Sequence, residues 1–164
     1  MDNILAACNA PKDPGLLSID VDGNDYHIWK SLQGYAPEIV VVEFNPTVPN
    51  DVFFVQDASF DVNHGCSLLA LTLLGQDKGY ELCACTTTNA FFVKKEKFGL
   101  LGIQNNFINV LHQPVQDGRI FQGYDGTIHV VGMNTLVWRN IPLSSDDFQV
   151  LPKAARVYRD ALKK

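Results

Sequence analysis

The stretch Leu16-Leu17-Ser18-Ile19-Asp20-Val21-Asp22-Gly23-Asn24-Asp25-Tyr26 constrains this chain more than any other. A short apolar run breaks into acidic residues around a glycine and then continues at helical spacing. The pattern predicts strand, loop, helix. Leu16 to Ile19, entered from Pro14-Gly15 and left at Asp20, suits a strand buried on both faces of a parallel sheet. In open α/β sheets ligands bind outside the carboxyl ends of the strands, so Asp20, Asp22 and Asp25 stand where such a fold does its chemistry. Asp20 and Asp22 are two positions apart and point the same way in extended backbone, a spacing that suits a shared cation or the hydroxyls of a ligand. Asp22, Asn24 and Asp25 are equally good turn and helix-capping residues, which gives each of them a purely local role as the competing reading. An EF-hand does not fit, because the glycine comes too early and the twelfth position from Asp20 is Ser31 instead of a bidentate Glu. An Asp-x-Asp metal motif of the kind nucleotide-sugar transferases use stays open.

Further along, Ile28, Trp29 and Leu32 form one apolar stripe of a short helix, with Gly34 placed as its C-terminal cap. Ile39-Val40-Val41-Val42 is a β-branched strand ending at Glu43 and Asn45, and adjacent strand ends line one crevice. Residues 47–65 carry no sustained period and read as a long loop of the lid type. His64, at its end and just ahead of a helix, stands where a general base reaches a substrate, though a loop histidine is also commonly just solvated. The leucine-rich segment from Ser67 to Lys78 predicts a deeply buried helix capped by Gly79. Tyr80 to Thr86 and Asn89 to Lys94 predict two strands close enough to pair antiparallel, with Asn89 opening the second as a turn former. Beyond Lys95 the pattern weakens. Asn106 to His112 suits a helical turn or two, Asp125-Gly126 marks a hairpin, and Trp138 and Ile141 suit anchors for this part. The tail from Pro152 places Leu151, Ala155, Tyr158 and Leu162 at the spacing of an amphipathic helix.

The blocks LLSIDVDGNDYHIWKSL, IVVVEFNPTVP, GCSLLALTLLGQDKGYEL and TNAFFVKK resemble consecutive blocks of FkbM-type, S-adenosylmethionine-dependent methyltransferases over Leu16 to Lys95. FQGYDGT and QVLP resemble the family's C-terminal tail. The resemblance implies an α/β fold: a partial Rossmann-like mixed sheet, parallel strands followed by a terminal antiparallel hairpin. Residues 1–97 would form the C-terminal half of the methyltransferase domain, and residues 98–164 a hairpin-and-helix appendage packed on the same core. The implied activity is methyl transfer from S-adenosylmethionine to a hydroxyl of a sugar or other small molecule. Read with the resemblance, Asp20, Asp22, Glu43 and His64 are the catalytic candidates, Asp25, Asn45 and Asn89 the acceptor-binding candidates, and Asp20 and Asp22 the ligands for a Mg²⁺ ion. The family opens with a glycine-rich strand-loop-helix that holds the cofactor, and this chain carries no such segment. The expectation is therefore weak binding of S-adenosylmethionine by the chain alone, and a complementing N-terminal half or a homo-oligomer as partner. The alternative is a non-catalytic interaction module that pairs with a partner chain through the exposed edge of the Leu16 strand.

Composition limits the remaining choices. A chain of 164 residues with 46% hydrophobic and 19% charged residues builds one sizeable core. A net charge of −5 without any Lys/Arg run argues against nucleic acid and anionic membranes as partners. No apolar run reaches membrane-spanning length, and the N-terminus does not read as a signal peptide. Cys8, Cys66, Cys83 and Cys85 supply no second cluster to complete a four-ligand metal site, and without a secretory signal they read as reduced thiols of a cytoplasmic protein.

Overall fold

The strand-like runs assemble into one four-stranded mixed sheet. The structure, a computed structural model, describes residues 1–158. β1 (Leu16–Ile19) and β2 (Ile39–Glu43) pair parallel, Leu16 opposite Ile39 and Ile19 opposite Val42. β3 (Tyr80–Cys85) and β4 (Asn89–Lys94) form an antiparallel hairpin. β4 inserts between β2 and β3, so the order is β1-β2-β4-β3. Since β4 is antiparallel to both its neighbours, β1, β2 and β3 run the same way and their carboxyl ends share one end of the sheet. The start of β4 lies there too, with Asn89 opposite Glu43.

Burial alternates along the inner strands because successive side chains point to opposite faces. Val40, Val42, Ala90, Phe92 and Leu82 face inward and are buried. Against them pack α2 (Asp25–Ser31), through Trp29, and α3 (Leu68–Asp77), through Leu68, Leu71 and Leu74. The Trp29 ring lies 4.7 Å from that of Phe92. Ser67 starts α3 by accepting a hydrogen bond from the Ala70 N–H, and Gly79 follows it at φ +83°, the left-handed cap that its position predicts. A short α1 (Asp2–Ala7) precedes the sheet. After it come α4 (Lys95–Phe98) and α5 (Ile108–Leu111), whose Ile108 and Leu111 pack on the core.

Several expectations are corrected. β1 is not buried on both faces: of its four side chains only Ile19 is buried, Leu16 is 59% exposed, and the strand lies at the edge of the sheet. Gly34 does not cap α2, which closes at Leu32 in extended backbone; the Gly34 N–H instead donates to the Asp2 carboxylate at 2.7 Å. Residues 47–65 form a long loop, as expected, and hydrogen bonds described below brace it.

The chain divides into two compact units, Met1–Val115 and a second beginning at Gln116. The boundary falls later than the 97/98 division read from the sequence, because α5 joins the first unit's core. In the second unit β5 (Arg119–Gln122) and β6 (Ile128–Val131) make the expected hairpin, with Gly126 at φ +83°, and β7 (Thr135–Leu136) pairs with β8 (Ile141–Pro142). Trp138 and Ile141 do not anchor it: Trp138 is 66% exposed and Ile141 is exposed as well. The described part of the tail holds a single 3₁₀ turn, Lys153–Ala155, in place of an amphipathic helix, and Leu162 lies outside the described residues. Among the described residues no helix is long and apolar enough to cross a membrane.

Candidate functional site

The loop between β1 and α2 is shaped by Asp25. That side chain is only 1% exposed, and its two oxygens accept the backbone N–H groups of Val21 and Gly23, each at 2.9 Å. Burial is the main influence on its carboxyl and raises its pKa, against the lowering effect of those N–H bonds. The turn so formed needs left-handed backbone at Asp22, φ +53°, and at Gly23, φ +151°. A side chain at Gly23 would also strike Gln56, whose Oε1 would lie 2.8 Å from the new Cβ.

With the loop fixed this way, one carboxylate oxygen each from Asp20, Asp22 and Glu43 come within 4.8 Å of one another. Asp20 and Asp22 are exposed and Glu43 is half-buried. Neither Asp20 nor Asp22 caps α2, whose N-cap residue Asn24 has no side-chain cap bond. Burial first, then the charges of Asp20, Asp25 and Asp22, push Glu43 up to about 7, while the Asp22 N–H acts in the opposite direction. A half-buried acid among acids holds its proton to neutral pH unless a cation replaces it.

Gln56 organises the other wall. It is 3% exposed, its Oε1 accepts the N–H groups of His64 at 2.7 Å and Gly65 at 2.8 Å, and its Nε2 donates to the Val62 carbonyl at 3.1 Å. Its own carbonyl lies 2.8 Å from His27 Nε2 on α2. The Asn24 amide adds a bond to the Ser59 carbonyl at 2.9 Å. The loop of residues 56–65 is thereby tied to the acidic turn. Nothing in the sequence marks Gln56, since a loop glutamine shows no sign of burial until its partners are known.

The structure therefore brings together three of the seven candidate residues, Asp20, Asp22 and Glu43, with Asp25 beneath them as the residue that holds their loop. Asn45 turns the chain after β2: its Oδ1 accepts the Thr47 N–H and hydroxyl, and its Nδ2 donates to the His64 carbonyl. Asn89, opposite Glu43, bonds Thr86 and Thr88 in the β3-β4 turn. His64 enters this network through its backbone N–H and carbonyl.

The geometry defines a mixed α/β protein with a cluster of carboxylates at the carboxyl ends of two parallel strands. No known protein family, curated protein or solved structure matches the chain.

Proposed function

We propose that Met1–Val115 is the acceptor-side half of a methyltransferase resembling the FkbM type, and that Asp20, Asp22 and Glu43 hold a divalent cation that helps bind an acceptor hydroxyl. The observation that carries this reading is the convergence of the three carboxylates, within 4.8 Å, where an open α/β sheet binds ligands. Their hard oxygen donors fit Mg²⁺ or Ca²⁺. A cation bound there would lower the proton affinity of a hydroxyl beside it. The chain's own part is positional: Asp20 and Asp22 present exposed donors, Asp25 and Gln56 fix the loops that carry them, and Glu43, half-buried among acids, is the ligand whose proton the cation would displace. The two parallel strands followed by an antiparallel hairpin support the fold that the resemblance implies.

The described residues do not by themselves fit S-adenosylmethionine, since a glycine-rich strand-loop-helix is not among them. That half would come from a complementing segment or chain. Calorimetric titration tests both points. Mg²⁺ or Ca²⁺ should bind the wild type and not Asp20→Asn or Glu43→Gln, and S-adenosylmethionine should not bind at micromolar concentration. Absence of cation binding would overturn the site; micromolar binding of S-adenosylmethionine would overturn the half-domain reading.

A second reading, a module that pairs through the β1 edge, is favoured by the contrast between the sheet's two edges. β3 is broken by an irregular register between Leu82 and Ala84, and its Leu82 carbonyl accepts a bond from Asn106. Among the described residues none bonds the outer edge of β1, which carries no charge within it. Concentration-dependent association that Leu16→Lys abolishes, seen by analytical ultracentrifugation, would favour this reading.

A further inference from the structure

His112 follows α5 and is 5% exposed. Its Nδ1 lies 2.9 Å from Asn50 Oδ1. The orientation of the Asn50 amide is fixed by its other bonds, because Nδ2 donates to Asn109 Oδ1 at 2.9 Å and to the His112 carbonyl at 3.1 Å. Asn50 Oδ1 is thus the acceptor and His112 Nδ1 carries the proton. Nε2 is left buried without a hydrogen-bond partner, and the ring stands edge-on to Phe44 at 4.9 Å. A proton added to Nε2 would create a buried cation whose new N–H has no acceptor.

We propose that Asn50, Asn109 and His112 form an acid-released latch between the loop after β2 and α5. The residues that hold the ring, Phe44, Asn50 and Asn109, do not titrate. Of the titratable groups on the elements packed there, Glu43 on β2, Asp51 beside Asn50, and Glu81, Cys83 and Cys85 on β3, none offsets the effect of burial, which lowers the affinity of His112 for a proton. With the folded pKa below the ordinary 6.5, the latch contributes stability that is fully present above pH 6.5 and is lost as pH falls from there through the lower folded pKa. Release lets Nε2 take up a proton from solvent in water, where the cation is hydrated. The loop it frees begins at Asn45 and includes Pro46, whose carbonyl accepts the Val115 N–H at 3.2 Å. This latch does not depend on the chemistry proposed for the carboxylates.

Hydrogen exchange of the full chain at pH 7.5 and 5.5, corrected for intrinsic rates, tests it. At pH 5.5 a freed imidazole is about ten parts in eleven protonated, so protection of the Val52, Leu111 and His112 amides should fall by up to about tenfold. Amides in the middle of α3 should not change. In His112→Asn a side-chain amide N–H can stand in for Nδ1–H toward Asn50 Oδ1 and does not titrate, so the difference between the two pH values at these amides should vanish. Equal protection of the wild type at both pH values would overturn the proposal, as would a loss of protection in His112→Asn between pH 7.5 and 5.5 as large as that of the wild type.

Discussion

Asp25 and Glu43 are both acids at the same end of the sheet, and the protein uses them in opposite ways. Asp25 is satisfied by two backbone N–H groups, so Asp25→Ala leaves two donors of a tight loop unpaired and should cost about 1–3 kcal/mol in a urea titration. Asp20→Asn and Asp22→Asn remove repulsion and no cap, so their stability should stay within about 0.5 kcal/mol of wild type. Glu43 sets a pH dependence. Its folded pKa lies above the ordinary carboxyl value of 4.5, at about 7, so its contribution to stability is fully present below pH 4.5 and is lost as pH rises through 7. Relative to Glu43→Gln, the wild type should therefore lose stability over that window, and on the proposed cation site saturating Ca²⁺ should restore it, read as the denaturation midpoint. The grouping of Asp20, Asp22 and Glu43 is legible in sequence because adjacent parallel strands deliver their carboxyl ends to one place. The difference between Asp22 and Asp25 is not legible, since both are turn formers and only the direction of each side chain separates a buried loop brace from an exposed carboxylate. Gln56 was invisible for the same reason.

The elements themselves follow from periodicity, and their surroundings do not. Ile39 to Val42 reads as a strand and is one, because a β-branched run fits a pleated surface under any neighbours. Leu16 to Ile19 is also a strand, but an apolar run does not say how many neighbours it has, and β1 lies at the edge. In α3 the leucines on several sides conceal the one position that sets how closely helix and sheet approach. Gly75 faces two of the core's aromatic rings: an added Cβ would lie 2.9 Å from Phe92 Cδ1 and 3.0 Å from Trp29 Cη2. Alanine is the better helix former by roughly 1 kcal/mol, so propensity alone makes Gly75→Ala stabilising. Overpacking of two rings with no free volume costs about 1–3 kcal/mol and should prevail. Gly75→Ala should therefore melt below wild type, while Gln76→Ala, exposed on the same helix, is the control and should melt within about 2 °C of wild type.

For the whole molecule the consequential fact is where the apolar residues go. Composition allows one core, and every residue of the buried hydrophobic cluster lies at or before Phe92, with Ile108 and Leu111 packed against it. From Gln116 to Tyr158 no hydrophobic residue is buried. The two tryptophans show why this was hard to read: Trp29 and Trp138 are equal as candidates for anchors, yet only Trp29 has a sheet and a second helix to pack against. A two-stranded hairpin offers no such surface, and alone it is marginal in water. Stability should therefore reside in Met1–Val115, whose sheet, helices and latch are all complete within it. A chain ending at Val115 should unfold in one cooperative transition, with a urea midpoint close to that of the full chain and a smaller slope in proportion to the surface removed. Circular dichroism and Trp29 fluorescence, the sole tryptophan left in that chain, should report the same midpoint. Loss of the cooperative transition on truncation would show that residues beyond Val115 complete the fold, and would move the seat of stability away from the sheet.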